Sequence, residues 1–211
     1  MAYKVILRTL LGIASVTFAS KLIYNFYQRR KKQVKLHKKE INEVITFSYG
    51  AHDLKKSKYS RCVVTPSMER LLYYLNGPRH NIYICMYIIT NTDVSNILMK
   101  LHYRGIKIRL IIDADMAYCT GSCARKLEKH GVPVRWLKST NLMHHKFCLI
   151  DTLADDEFVT PYVMAGSLNW TNQALSGNWE DVTVTSQKDL VQQYQVAFEK
   201  LWILFKPIDF T

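Results

Sequence analysis

Two stretches, NIYICMYII (residues 81–89) and IKIRLIID (residues 106–113), constrain the fold more than any other part of the chain. Both are apolar and β-branched almost throughout. A strand without a polar alternate has no face to turn to water, so each is expected to be buried on both sides of a sheet. Between them, TDVSNILMKLHYRG repeats its apolar residues at helical spacing, opens on a Thr92/Asp93 cap and stops at Gly105. Strand, helix, strand in this order points to an α/β sandwich with a mostly parallel or mixed sheet.

The pattern continues on both sides. VTPSMERLLYYLNG places Pro66 before Met68, Leu71, Leu72 and Leu75 at helical spacing, with Gly77 as a stop. SCARKLEKHG is a helix closed by Gly131, and VPVRWL a short strand. HKFCLID, YVMAGSL and EDVTVTS are three further strands. DLVQQYQVAFEKLWILF is a long amphipathic helix expected to turn Leu190, Tyr194, Ala197, Leu201 and Trp202 inward. The fold class is α/β, a mixed sheet flanked by helices, and the 211 residues are enough for one core.

The net charge of +12 divides unevenly. Residues 1–40 and 41–150 each carry +9, and residues 151–211 carry −6. The first block lies outside the α/β pattern. YKVILRTLLGIASVTFASKLIYNFYQ is apolar over the roughly 20 residues a bilayer requires, interrupted by Arg8 and Lys21. RRKKQVKLHKK follows, and basic flanks stay on the cytoplasmic side. The expectation is a membrane anchor at 1–28 with an N-terminal transmembrane helix, a basic juxtamembrane linker at 29–45 and a globular domain at 46–211 facing the cytosol. The competing readings are an amphipathic helix and a cleaved presequence; no small-x-small cleavage pattern favours the latter.

Five cysteines at irregular spacing, on a cytosolic face, give no disulfide framework. Cys119 and Cys123 form C-x3-C without a second ligand pair nearby, so no metal is assigned there.

The chemistry concentrates in MHHKFCLID, residues 143–151. On a strand, period two puts His144, Lys146, Cys148 and Ile150 on one face and His145, Phe147, Leu149 and Asp151 on the other. An imidazole able to act as a nucleophile or proton carrier then stands beside a fixed ammonium, a pairing suited to phosphate. Asp151 points elsewhere and is expected to serve as a scaffold. His145 is expected as a hydrogen-bonded neighbour, and Trp170 and Trp179 as core or groove-wall aromatics.

H-x-K-x4-D, followed by AGSLNWTNQAL and NWED, resembles the phospholipase D (HKD) superfamily from about Met68 to Phe205. IIDADMAYCTGS, MHHKFCLID, GSLNWTNQA and the N-terminal apolar segment are most similar to its single-motif branch, Zucchini/MitoPLD. The resemblance implies a phospholipase D-like fold and a phosphodiester hydrolase in which His144 attacks phosphorus. It implies that Lys146 holds the non-bridging oxygens, that Ser167 and Asn169 bind the phosphate, and that Glu180 orients His144. Asp151 counts with the catalytic motif but is kept as a structural member. Donors and positive charge aimed at the phosphate oxygens lower the barrier, so no metal or other cofactor is needed for this chemistry. One motif supplies one nucleophile, so the resemblance also implies a homodimer whose second His144 is the general acid and base.

Two departures stand out. The branch carries a Cys/His zinc element before the first domain helix; here that region offers His52, Cys62 and His80, too few for four ligands. The segment TLADDEFVTPYVMA between Asp151 and Gly166 is longer than a short hairpin, and Asp155, Asp156 and Glu157 are expected at an exposed tip.

Two substrates follow from the resemblance. One is single-stranded RNA, cut at the mitochondrial outer membrane with proteins of the piRNA pathway as partners. The other is cardiolipin, hydrolysed to phosphatidate. Lys55, Lys56, Lys58, Arg61, Arg79, Arg104 and Arg109 are expected to form a polyanion groove, with Lys58 and Arg61 as substrate-binding residues. A lipase needs an apolar pocket beside the site, and no hydrophobic loop of that kind is visible in the sequence. RNA is therefore the expected substrate.

Overall fold

The computed structural model describes residues 2–37, 40–50, 53–153 and 156–209. They divide into two units, residues 1–39 and 40–211.

The first unit is one helix, α1 (Ala2–His37). Ile13, Val16, Phe18, Leu22, Ile23, Phe26 and Tyr27 along it are more than half exposed. The apolar segment is thus helical, and the helix runs on into the basic block expected as a linker, as far as His37. The expected transmembrane helix, however, is not shown. Among the described residues no helix is long and apolar enough to cross a membrane, since Lys21, Asn25 and interspersed Ser and Thr dilute the apolar run.

The second unit follows the order β1 (Asn42–Phe47), β2 (Lys55–Lys56), β3 (Val63–Val64), α2 (Pro66–Leu75), β4 (Asn81–Met86), α3 (Thr92–Tyr103), β5 (Lys107–Ile112), α4 (Ala114–Tyr118), α5 (Ala124–Lys129), β6 (Val134–Trp136), β7 (Lys146–Ile150), β8 (Tyr162–Gly166), α6 (Asn172–Ser176), β9 (Glu180–Thr185), α7 (Lys188–Leu204) and β10 (Lys206–Pro207). Eight strands form one sheet in the order β1-β9-β8-β7-β4-β5-β6-β10. β4, β5 and β6 run parallel, and β4 meets β7 antiparallel, so the sheet is mixed. β2 and β3 form a separate hairpin.

All six residues of β4 are buried, as its unbroken apolar run requires. The sheet separates two cores. Ile84, Cys148, Ile150 and Met164 face α2, α3 and α5, whereas Tyr83, Phe147, Leu149 and Val163 face α7. The expected alternation is therefore present from Phe147 to Ile150, and Cys148 lies in the first core.

Local chemistry sets the helix ends. The Thr65 hydroxyl accepts from Met68 N at 3.2 Å, with Pro66 in the first turn of α2. α3 is capped by Asn91, whose Oδ1 accepts from Val94 N at 2.9 Å, rather than by Thr92 or Asp93. Gly105 ends it at φ +82°, a left-handed conformation that glycine adopts without cost.

Two expectations shift. β1 starts at Asn42, inside the segment assigned to the linker, and pairs with β9 along its whole length. α7 buries Val191 and Phe198 rather than Leu190 and Ala197. Tyr194, Leu201 and Trp202 pack against that core as expected, and Phe198 stacks on Tyr83, ring centroids 5.0 Å apart, filling space that Ala197 cannot.

Candidate active site

The strand directions gather the expected residues at one end of the sheet. The start of β7, the end of β4, the end of β8 and the start of β9 all meet there, because β7 is antiparallel to β4 and β8, and β8 to β9. Lys146 pairs with Met86, and Gly166 with Val182.

His144 stands just ahead of β7 and is exposed. The Lys146 ammonium lies 3.2 Å from its Nδ1, 3.3 Å from its Nε2, and donates to its carbonyl oxygen at 3.0 Å. The Tyr87 ring packs against the imidazole with centroids 4.7 Å apart. The backbone before His144 is anchored from β5: Asp113 Oδ2 accepts from Met143 N at 2.9 Å, while its Oδ1 caps α4. Asp113 is buried, so this tether is fixed. Burial pushes the Lys146 pKa below the ordinary lysine value, and Glu180 pulls in the opposite direction.

Glu180, first residue of β9, is held on both carboxylate oxygens. The Ser167 hydroxyl donates to one, and Asn178 Nδ2 donates to the other at 3.0 Å. Ser167 Oγ in turn accepts from Asp181 N at 3.2 Å, and Ser167 N donates to Asp181 O at 3.1 Å. This closeness of β8 and β9 depends on Gly166, where an added Cβ would come within 2.1 Å of Asp181 O. Ser167 therefore holds the carboxylate in this state, a role beyond the phosphate binding expected of it. Asn169 is half-buried, and its Oδ1 is enclosed without a hydrogen-bond partner. Such an atom costs about 1–3 kcal/mol and can be satisfied only by a donor, so phosphate oxygens would be met by the Nδ2 of the same amide.

Asp151 is not brought to this cluster. It lies at the far end of β7, roughly 17 Å away at about 3.3 Å per residue. It is buried, in a left-handed conformation at φ +56°. Its carboxylate accepts from Arg79 N at 2.9 Å, His80 N at 2.7 Å and Asn81 N at 3.2 Å. Those bonds pin the turn into β4 to the end of β7. The scaffold role fits, and the place among catalytic residues does not.

The expected polyanion groove is dispersed. Lys58 and Arg61 are exposed in the β2–β3 hairpin, and no described contact joins them to His144 or Lys146. Lys55, Lys56, Lys58 and Arg70, with Tyr59 and Tyr73, line a separate groove of about 410 Å³. Arg109 instead reaches Glu199 of α7 at 3.0 Å and lies over the Tyr83 ring. His145 makes an edge contact with Phe147. Trp170 is buried, whereas Trp179, beside Glu180, is 77% exposed.

A second groove, of about 470 Å³, opens directly at His144. Leu137, Leu142, Met143, Leu201 and Phe205 supply its apolar wall and Ser139, Asn141 and His145 its polar part, while Lys146, Ser167, Asn169 and Glu180 are not among its lining residues. No single stretch of sequence reveals it, because its wall comes from a loop and the far end of α7.

Among the described residues no group of three or more His, Cys, Asp or Glu could hold a metal ion. His52 lies outside the described residues. Cys62 is exposed, and His80 pairs with Asp156 at 3.1 Å, so neither is poised with the other as a ligand set. Asp156 thus ties its loop back to the body, rather than standing free at a tip. Asp155 lies outside the described residues.

Residues 71–202 match the family model described as cardiolipin synthase, PLD-like domain. The mitochondrial cardiolipin hydrolase of Chlamydomonas reinhardtii is 39% identical over 140 residues, 66% of this chain and 59% of that protein, so the match spans less than two thirds of that relative. The protein of the same name from Xenopus laevis is 30% identical over 207 residues, 95% of this chain and 91% of that protein. Among solved structures, NucT from Helicobacter pylori superposes with a TM-score of 0.64 at 20% identity, covering 81% of this chain and 100% of that one. The phospholipase D family member Nuc from Salmonella typhimurium gives 0.63 at 18% identity, covering 81% and 99%. The fold, the clustered His144, Lys146 and Glu180, and these matches place the chain in the phospholipase D superfamily, in its Zucchini/MitoPLD branch, as a phosphodiester hydrolase.

Proposed function

We propose that this protein is a metal-independent phosphodiesterase working through a phosphohistidine at His144, and that its substrate is a phospholipid diester of the cardiolipin type, cleaved to phosphatidate. The observation that carries the lipid assignment is the groove of about 470 Å³ at His144, where Leu137, Leu142, Met143, Leu201 and Phe205 can receive an apolar chain beside the imidazole. It is the feature a lipase needs and RNA does not. The names of the relatives from Chlamydomonas and Xenopus agree with it.

A phosphodiester resists attack because its negative charge repels nucleophiles. Lys146, with the Ser167 and Asn169 side chains, neutralises and orients the non-bridging oxygens. A His144 ring nitrogen attacks phosphorus, the bond to the leaving oxygen breaks, and that oxygen takes a proton. Water then attacks phosphorus, breaks the P–N bond and releases a phosphomonoester. The proton donor and acceptor is the second His144 of a homodimer, with Glu180 steering the imidazoles.

RNA remains the second reading, on one observation: the separate groove lined by Lys55, Lys56, Lys58, Tyr59 and Tyr73 combines charge with aromatic faces. In that reading the product is a cut single strand, and proteins of the piRNA pathway are partners. In either reading the catalytic unit faces the cytosol at the mitochondrial outer membrane. The exposed apolar side chains of α1 and the basic block after them support attachment there.

The test is to incubate the full chain and its His144→Ala variant with cardiolipin vesicles and, separately, with single-stranded RNA. Phosphatidate release by the parent chain alone supports the lipid reading. RNA cleavage without phosphatidate selects RNA, and turnover of neither substrate overturns both.

A further inference from the structure

We infer that Tyr87 is the positioning residue for the His144–Lys146 pair. The inference rests on the reading of His144 as nucleophile. β4 is buried throughout, and its last residue, Met86, pairs with Lys146 across the ladder. Tyr87 follows at once, so its backbone is set by the most enclosed strand in the sheet. Its half-buried ring reaches both chemical groups. The His144 ring centroid is 4.7 Å away with planes inclined by 58°, and Lys146 Nζ is 5.3 Å from the tyrosine centroid.

Both contacts answer a need. His144 precedes the strand and is exposed, so the ladder does not fix its side chain. An exposed imidazole samples several rotamers. A misplacement of about 1 Å costs roughly a hundredfold in rate. A ring packed against it at this tilt restricts those rotamers. Lys146 has lost hydration through burial, and an ammonium within about 6 Å of an aromatic face recovers part of it as a cation–π contact. One side chain thus braces the nucleophile and steadies the cation that serves it. The hydroxyl has no part in either contact, so the ring is the working element.

The experiment compares Tyr87→Phe, Tyr87→Leu and Tyr87→Ala with the parent chain on bis(p-nitrophenyl) phosphate, a diester carrying neither a lipid nor a base. Thermal unfolding of each variant corrects for the folded fraction, and Tyr87→Leu carries the test if Tyr87→Ala does not fold. Tyr87→Phe is expected to keep kcat within about twofold, and the ring-less variants to lose at least about tenfold in kcat with KM little changed. Parental kcat in folded Tyr87→Leu overturns the inference, as does a Tyr87→Phe variant impaired as deeply as Tyr87→Leu. His144→Ala is run alongside. If it retains activity, the nucleophile assignment has failed, which is a different result from failure of the Tyr87 role.

Discussion

Lys146 Nζ lies 3.2 Å from Nδ1 of His144 and 3.0 Å from the carbonyl oxygen of the same residue. The ammonium therefore holds the backbone of its proposed catalytic neighbour while staying within reach of the imidazole. Two residues of separation at a strand start are enough to produce this, since positions i and i+2 share a face.

Because burial pushes the Lys146 pKa down from that of an ordinary lysine, the ammonium is lost earlier as pH rises. Activity that depends on this charge should fall on the alkaline side below the ordinary lysine range. Lys146→Arg keeps its charge throughout, so its residual activity should lack that limb. The pH profile of kcat for the two proteins is the measurement, and coincident alkaline limbs would count against the role.

Glu180→Gln should lower kcat by about a hundredfold, the scale of a lost acid–base partner. Ser167→Ala frees one carboxylate oxygen and should cost about tenfold, in line with one charge-assisted hydrogen bond. The double variant should lose less than the product of the two single losses, since Ser167 acts in part through that carboxylate. Steady-state kinetics on one diester decides; independent, multiplying losses would separate the two residues.

Asp151→Asn should destabilise by about 1.5–3 kcal/mol, because three backbone N–H groups lose a charged acceptor. Asparagine tolerates the left-handed backbone at this position, so the substitution isolates the charge. kcat of the folded fraction should be unchanged. Urea unfolding together with active-site titration tests this, and a large kcat loss at full stability would return Asp151 to the chemistry.

The alternation along β7, the unbroken burial of β4 and the glycine stop of α3 were all legible in the sequence. Each is set by residues within a few positions of one another. What was not legible depends on distant partners. Asp113 tethers Met143 from 30 residues away, and Tyr87 meets His144 from the neighbouring strand. Arg109 read as groove charge because its partner, Glu199, lies 90 residues on. β1 was hidden by the basic block, although Ile45 and Phe47 already alternate with polar residues.

Removal of residues 1–39 should leave the second unit folded and active on a soluble diester, since that unit holds its own core and site. Membrane association should be lost. Vesicle co-sedimentation of the two chains measures it; undiminished sedimentation would place a membrane-binding surface in the second unit.

The most direct measurement is of the covalent intermediate. The full chain is mixed with substrate, quenched at alkaline pH, where phosphohistidine survives, and mapped by peptide mass spectrometry. The predicted result is a phosphoryl adduct on His144 that carries one half of the substrate and is absent from His144→Ala. An adduct on another residue, or substrate turnover by His144→Ala, would contradict the account.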